Sequence, residues 1–427
     1  MAIYWARLMC LSIAGGAIAL LAGGAILLQP SDLKPFASPT TGQALPPAIL
    51  FKFATRLASA VDSFAFALKP PMAQLSAAAS GYQLTHALAS FARLRVAEAI
   101  EAASSKDTDG LADCVDIARH TKPSTDADAL RRLLRYLAAQ RLLVASDDPS
   151  TTRFGLTPAT RLLLKGEPGS LWGMVQVQAG DHADGWANLD ASLTNGAGTI
   201  AFDHKFGKSV WDHYQQNPPL EEAFASFMTA ASRSSNAAIA SAGFNFSEQC
   251  SGIVDVGGGH GSLLGELVAV HSSLASKATV VDVPGVVDSA ARVPGVRFQP
   301  GDFFEANSLP SAPSLNCFIL KHILHDWSDA KAVSILRNIR RAMSRHDGPG
   351  GGTERAATLL LAECVLAPSD PMLPFKAGLD VNMMAMVGGK ERTQSEWVAL
   401  LREGGFEVAA FRPTRSPLTL IVARMLR

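Results

Sequence analysis

The sequence predicts an α/β protein in which a doubly wound, mainly parallel sheet fills the C-terminal part and a helical, winged-helix-like unit precedes it. Three observations predict this. From residue 252 onward, short β-branched runs alternate with helical periodicities, the pattern of strands joined by crossover helices. The first of these runs, Ile253–Val256, leads straight into a glycine cluster, Gly257-Gly258-Gly259-His260-Gly261, as a strand does before a tight turn that a ligand approaches. Between residues 74 and 165 the order is helix, helix, strand, polar turn, strand, which is the winged-helix arrangement.

The chain of 427 residues has room for two or three domains at roughly 100–200 residues each. Its hydrophobic fraction of 48% is ample for a large core. A formal net charge of zero favours neither nucleic acid nor an acidic surface as partner. The cysteines, Cys10, Cys114, Cys250, Cys317 and Cys364, are odd in number and lack a C-x-x-C pair. That pattern speaks against a disulfide framework or zinc site and for a reducing compartment.

Residues 1–30 are a hydrophobic N-terminal segment. Within it Leu8–Leu28 carries no charge. As a helix it would be about 31 Å long, enough to cross a bilayer core. It reads as a membrane anchor, with a cleaved targeting peptide and a misplaced start site as the alternatives. Arg7 precedes it, whereas Lys34, Lys52 and Arg56 follow, which places the rest of the chain in the cytosol. Residues 31–73 read as a linker leading into an amphipathic helix. Five prolines fall within 29–48, and 49–68 is apolar with three charges.

Residues 74–165 are expected to form the winged-helix-like unit. Leu84, Leu88, Phe91, Leu94 and Ala97 recur at spacings of three and four and make one apolar helix face. Asp126 or Asp128 can cap a second helix carrying Leu130, Leu133, Leu134, Leu137 and Leu142. Arg131, Arg132, Arg135 and Arg141 lie on or beside that helix, where a DNA-binding winged helix would read the groove. The zero net charge favours a solvated face beside a Leu-rich dimer core instead. Residues 166–427 follow as a second, larger domain. It opens with a helical region, 170–245, whose many aromatics suit core packing and the wall of a flat substrate pocket.

In the C-terminal part, strands are expected at Ile253–Val256, Thr279–Val283, Cys317–Leu320, Thr358–Ala362 and Leu418–Ala423. Helices are expected at Ser262–Val270, Asp329–Met343 and Ser395–Glu403. Ligands of such sheets bind at the carboxyl ends of the strands. Asp255 precedes the glycines, and Asp282 ends the next strand, where a carboxylate can accept both hydroxyls of a ribose. The alternative for Asp282 is a helix N-cap. Asp302 and Phe303, in Gly301-Asp302-Phe303-Phe304, suit an adenine amino group and its ring. Leu320-Lys321-His322-Ile323-Leu324-His325-Asp326-Trp327 ends the fourth strand.

These segments resemble, in order, the small-molecule S-adenosylmethionine-dependent O-methyltransferases: VDVGGGHG, VDVPGVV, GDFFE, LKHILHDWSD, LLAECVL and GGKERTQ. That family includes the plant caffeate and flavonoid enzymes, acetylserotonin O-methyltransferase and bacterial polyketide relatives. The resemblance covers about residues 75–427. It implies a Rossmann-like class I methyltransferase sheet behind a dimerisation domain, S-adenosylmethionine as cofactor, and a homodimer. It implies that Gly257, Asp282, Asp302, Phe303 and Lys321 hold the cofactor. By the same resemblance His325 is the catalytic base, oriented by Glu363 and Glu391, and Asp326, Asp380 and Asn382 line the substrate pocket. His260 stands where many relatives have Thr, and the loop Ser344–Ala356 lengthens the link to the fifth strand.

The residue chemistry agrees. A phenol with pKa near 10 needs a base at neutral pH, and a histidine with ordinary pKa near 6.5 can take its proton. A neighbouring carboxylate fixes the imidazole tautomer and stabilises the imidazolium. No metal-ligand cluster is evident in the sequence, and none is needed. The expected function is therefore O-methylation of a small, aromatic hydroxyl substrate, with no nucleic acid as partner. The rivals are N- or C-methylation on the same scaffold and a non-catalytic cofactor-sensing or DNA-binding protein.

Overall fold

The computed structural model describes residues 34–426, apart from 105–109, 147–151, 197, 306, 313 and 345–356. The apolar run Leu8–Leu28 lies outside the described residues, as does most of the loop Ser344–Ala356. Among the described residues no helix is long and apolar enough to cross a membrane, so the anchor has no support there.

The proline-rich stretch is more than a linker. Phe36–Ala37 (β1) and Ala44–Leu45 (β2) pair antiparallel. Ser38 Oγ in the turn between them donates to the buried Glu266 carboxylate at 2.9 Å, and Thr40 Oγ1 donates to the same oxygen. The sequence hides this hairpin because its anchor lies 228 residues further on. Helices α1 (Ala48–Ala67) and α2 (Pro71–Ala79) follow, the first where the amphipathic helix was expected.

The winged-helix-like unit comprises α3 (Gly81–Arg93), α4 (Val96–Ala103), β3 (Ala112–Asp113), α5 (Cys114–His120), α6 (Ala127–Ala139), β4 (Leu143–Ala145) and β5 (Arg153–Leu156). Asp126 is the cap of α6, accepting from Ala129 N–H at 2.8 Å. The helix buries Leu130, Leu134 and Leu137, one residue per turn on one face. These pack with Phe91, Val96, Ile100 and Ile117. Arg131 is paired with Asp128 one turn away.

Next come α7 (Pro158–Arg161), α8 (Trp172–Ala179), α9 (Asp181–Trp186), α10 (Leu189–Thr194), α11 (Ala201–Phe206), α12 (Val210–Gln215), α13 (Pro218–Ala240) and α14 (Phe246–Gln249), the helical region the sequence indicates. The remainder alternates: β6 (Ile253–Val256), α15 (Ser262–Val270), β7 (Ala278–Asp282), α16 (Pro284–Ser289), β8 (Val296–Pro300), β9 (Cys317–Lys321), α17 (Asp329–Ser344), β10 (Thr358–Leu366), α18 (Leu373–Met386), β11 (Arg392–Thr393), α19 (Gln394–Glu403), β12 (Phe406–Pro413) and β13 (Leu418–Met425).

The sheet order is β12-β13-β10-β9-β6-β7-β8, with β11 pairing at the end of β10. Strands β6 to β10 run parallel, and β13 runs antiparallel between β10 and β12. This is the class I methyltransferase fold. The central strands are buried on both faces, which is why they read as continuous apolar runs. Their carboxyl ends, at Val256, Asp282, Lys321 and Glu363–Leu366, converge on one rim.

The cysteine argument is corrected. Cys250 and Cys317 form a disulfide, with Cα atoms 5.5 Å apart, while Cys114 and Cys364 are free and buried. Sequence spacing misses it because a parallel crossover lays the start of β9 beside the entry to β6: Cys317 is in register with Ile253. The case for a reducing compartment loses this support.

Candidate active site

The glycine turn shapes the rim. Gly257 adopts φ +70°, a conformation that favours glycine, and a Cβ there would meet Ile323 Cδ1 at 2.5 Å. On its other side Phe303 packs close to the same point. A Cβ on Gly259 would meet nothing within 4 Å, so the turn presents bare backbone to open space, a cradle for a ligand. Asp282 closes one side: its carboxylate accepts from Gly259 N–H and from Val283 N–H, each at 2.8 Å. Helix α16 has Val283 at its N-cap and no side-chain cap, so Asp282 is not the helix cap.

Lys321, the last residue of β9, is tied to α13. Its Nζ donates to Ser232 Oγ at 2.8 Å and Asn236 Oδ1 at 3.0 Å. Burial pushes the Lys321 ammonium down, with Asp255 opposing. Burial likewise drives the Asp255 carboxyl up, with Lys321 opposing. Asp302 is exposed and its Oδ1 accepts from Phe304 N–H at 2.8 Å. Asn338 holds this loop from beneath, donating to Phe303 O and Phe304 O. The rings of Phe303, Phe304 and Trp327 meet edge to face.

The chemical centre is His325, buried in a short 3-10 turn after β9. Its Nδ1 lies 2.7 Å from Glu391 Oε1, and its Nε2 lies 3.4 Å from Asp326 Oδ1. Burial alone would disfavour the imidazolium. The charges of Asp326, Glu363 and Glu391 outweigh burial and push His325 up to about 10. Glu363, fully buried on β10, accepts from Ile323 N–H and Leu324 N–H at 3.1 and 3.0 Å. It therefore grips the loop that carries His325, and no hydrogen bond joins it to the ring. Burial pushes Glu363 up to about 7. His325, Glu363 and Glu391 offer donor atoms all within 4.8 Å of one another, close enough to hold a cation. A proton on His325 balances the same carboxylates, which is the chemistry the short Nδ1 bond favours.

Asp380 and Asn382 share α18. Asp380 Oδ1 accepts from Glu391 N–H at 2.8 Å, which makes it a support for the His325 partner. Asn382 Oδ1 accepts from Trp186 Nε1 at 2.9 Å, linking α18 to α9. Each thus has a hydrogen-bond partner within the protein.

Two family models match the chain: an O-methyltransferase domain over residues 186–407 and an O-methyltransferase dimerisation domain over 77–166. O-demethylpuromycin-O-methyltransferase of Streptomyces alboniger is 33% identical over 311 residues, 70% of this chain and 77% of that one. The chain belongs to the S-adenosylmethionine-dependent O-methyltransferases.

Two solved structures show how such methyltransferases vary. The O-methyltransferase of neocarzinostatin biosynthesis, crystallised with S-adenosylmethionine and 2-hydroxy-5-methyl naphthoic acid, superposes with TM-score 0.62 at 27% identity over 80% of this chain and 96% of that one. The N,N-8-amino-8-demethyl-D-riboflavin dimethyltransferase of Streptomyces davawensis superposes with TM-score 0.64 at 26% identity over 84% and 100%.

In this methyltransferase the structure brings Gly257, Asp282 and Phe303 to one rim and His325, Asp326, Glu363 and Glu391 into one buried cluster. Sequence reasoning missed several of the parts that hold them. Arg392 is fully buried and donates to Leu324 O, Trp327 O and Asp329 Oδ1. It staples the Glu391 segment to the His325 loop. A Cβ on Gly389 would lie 1.9 Å from His325 O, so the two segments touch backbone to backbone. Lys390 N–H bonds that same carbonyl at 2.9 Å. The glycine pair before KERT was the available signal. His322, at φ +53°, stacks on His325 with ring centroids 4.9 Å apart. Burial holds His322 well below the ordinary histidine value, with the positive charges of His325 and Lys321 adding to it.

Proposed function

We propose that the chain methylates a hydroxyl oxygen of a small aromatic substrate, with His325 as the general base. The observation that carries this reading is the buried His325–Glu391 pair, Nδ1 to Oε1 at 2.7 Å. A carboxylate so close fixes the proton on Nδ1 and leaves Nε2 to take a proton. With His325 pushed up to about 10, the imidazolium matches a phenol of pKa near 10, so moving the proton between them costs little.

S-adenosylmethionine is the proposed cofactor. The bare glycine turn fits it, because Gly257 takes a left-handed conformation and Gly259 opens onto free space. Gly257 would lie against the amino-acid part, Asp282 would accept the ribose hydroxyls, Asp302 and Phe303 would hold the adenine, and Lys321 would complete the site. When bound, the cofactor supplies a methyl group already activated on a sulfonium. The protein's remaining work is positioning, worth about 7–11 kcal/mol when reacting atoms are held in line. Asp326, beside Nε2, would meet the substrate hydroxyl, and α18 with Asp380 and Asn382 would form part of the pocket wall.

Residues 74–165 are proposed as the dimerisation domain of a homodimer and 166–427 as the catalytic domain. Residues 1–30 would be a separate hydrophobic segment and 31–73 its connection.

His325→Ala tests the assignment. It should lower kcat by roughly 10²–10⁴, the usual share of general acid–base catalysis, with cofactor affinity unchanged. Near-normal turnover would overturn it. N-methylation is the second reading, favoured by the structural likeness to the riboflavin-type dimethyltransferase. An amine acceptor is already a nucleophile when neutral, so loss of His325 would then matter little. Mass spectrometry and NMR of products from a panel of phenols and aromatic amines separate the two readings.

A further inference from the structure

Helix α1 precedes the matched dimerisation domain, which begins at residue 77, and α2 runs into its first residues. Neither helix has a buried residue. Leu57, Val61, Phe64 and Leu68 follow one another at spacings of four, three and four, so they form a single stripe along α1. Met72 and Leu75 on α2 stand at the three-residue spacing beyond the proline break. All six are between 47% and 82% exposed. A soluble chain rarely leaves so continuous an apolar surface uncovered.

We infer that this stripe packs on a second copy of the chain and extends the dimer interface, an inference that rests on the homodimer reading. Two features choose a second copy as the occupant. The stripe runs without interruption of the chain into α3, the first helix of the dimerisation domain, so it continues that interface. A narrow seam at alternating three and four residue spacings is complementary to another helix with the same seam, and a two-fold interface presents each patch to its own copy. Small residues, Ala58, Ala60, Ser63, Ala65 and Ala67, lie between the stripe positions and allow close approach.

The test uses the full-length chain. Two exposed stripe residues are changed together, Phe64→Glu and Leu68→Glu, and the dimer dissociation constant is measured by sedimentation. A rise of tenfold or more is expected. An unchanged constant overturns the arm while leaving a dimer through 77–166 intact; a monomeric wild type at micromolar concentration overturns both readings. In a second measurement, a photo-reactive phenylalanine analogue replaces Leu68 in a mixture of light and heavy nitrogen-labelled chains. Adducts joining one light and one heavy chain are expected. Adducts confined within one chain, or adducts to lipid after mixing with phosphatidylcholine–phosphatidylserine vesicles, would overturn the inference.

Discussion

Replacing Glu391 by glutamine keeps the side-chain shape and removes the charge that lies 2.7 Å from His325 Nδ1. The gap between about 10 and the ordinary 6.5 corresponds to roughly 5 kcal/mol of preference for the imidazolium. Asp326, Glu363 and Glu391 supply that preference against burial. An equal share is roughly tenfold in proton affinity, and the directly bonded carboxylate contributes at least that. The amide adds a second penalty. Its NH₂ can donate to Nδ1 and force the proton onto Nε2, which then cannot act as a base; the equivalent tautomer error in a catalytic triad costs about 10⁴. We expect kcat to fall about 10²-fold, and never less than tenfold. The pH profile carries a separate signature. The base works only when neutral, so wild-type kcat/KM should climb with pH towards a limb near 10. Glu391→Gln lowers the His325 value, so its limb should move to lower pH by about one unit, with a lower plateau. The assay is methyl transfer from labelled cofactor to the best phenol of a panel between pH 6 and 10, with cofactor affinity followed by calorimetry. A variant with wild-type rate and an unmoved limb would refute the argument.

Other outcomes follow from the same geometry. Asp282→Ala should weaken binding of S-adenosylhomocysteine by roughly 1.5–3 kcal/mol, measured by calorimetry, because a charged acceptor is lost from the cradle; unchanged affinity would leave Asp282 as a brace for Gly259 alone. Gly389→Ala drives a Cβ into His325 O and should cut kcat more than stability, seen by comparing turnover with a thermal melt. Arg392→Met strips hydrogen bonds from the buried Leu324 carbonyl and the half-buried Trp327 carbonyl and should cost about 2–4 kcal/mol of stability in urea titration. His325 binds its proton more tightly folded than unfolded, so its contribution to stability is full below 6.5 and is lost as pH rises through about 10. Glu363, raised to about 7, acts in the same direction between 4.5 and 7. Tm should therefore decline from pH 5 to 10, and decline less in His325→Asn.

Local chemistry made much of this protein legible. Helix caps, periodicity and strand runs depend on residues within a few positions of each other, so α6 with its Asp126 cap, the wing strands and the central strands could be placed from the sequence alone. The glycine turn was readable for the same reason: Gly257 and the acid that ends the next strand are fixed by local backbone demands. Edge strand β12 left a weaker mark, because only one of its neighbours is a strand and its side chains are partly solvated. What the tertiary structure decided was how distant segments meet. The Cys250–Cys317 bond, the grip of Ser38 on Glu266 and the Arg392 staple each join residues dozens to hundreds of positions apart. The motif LKHILHDW names His325, but only the folding of α18, β10 and the GGKERT segment onto one rim shows Glu391 on the ring, Glu363 on the loop's backbone and Asp380 behind Glu391. Sequence constrains what each residue can do; burial and distance, which set how strongly charges act on one another, exist only once the chain has folded.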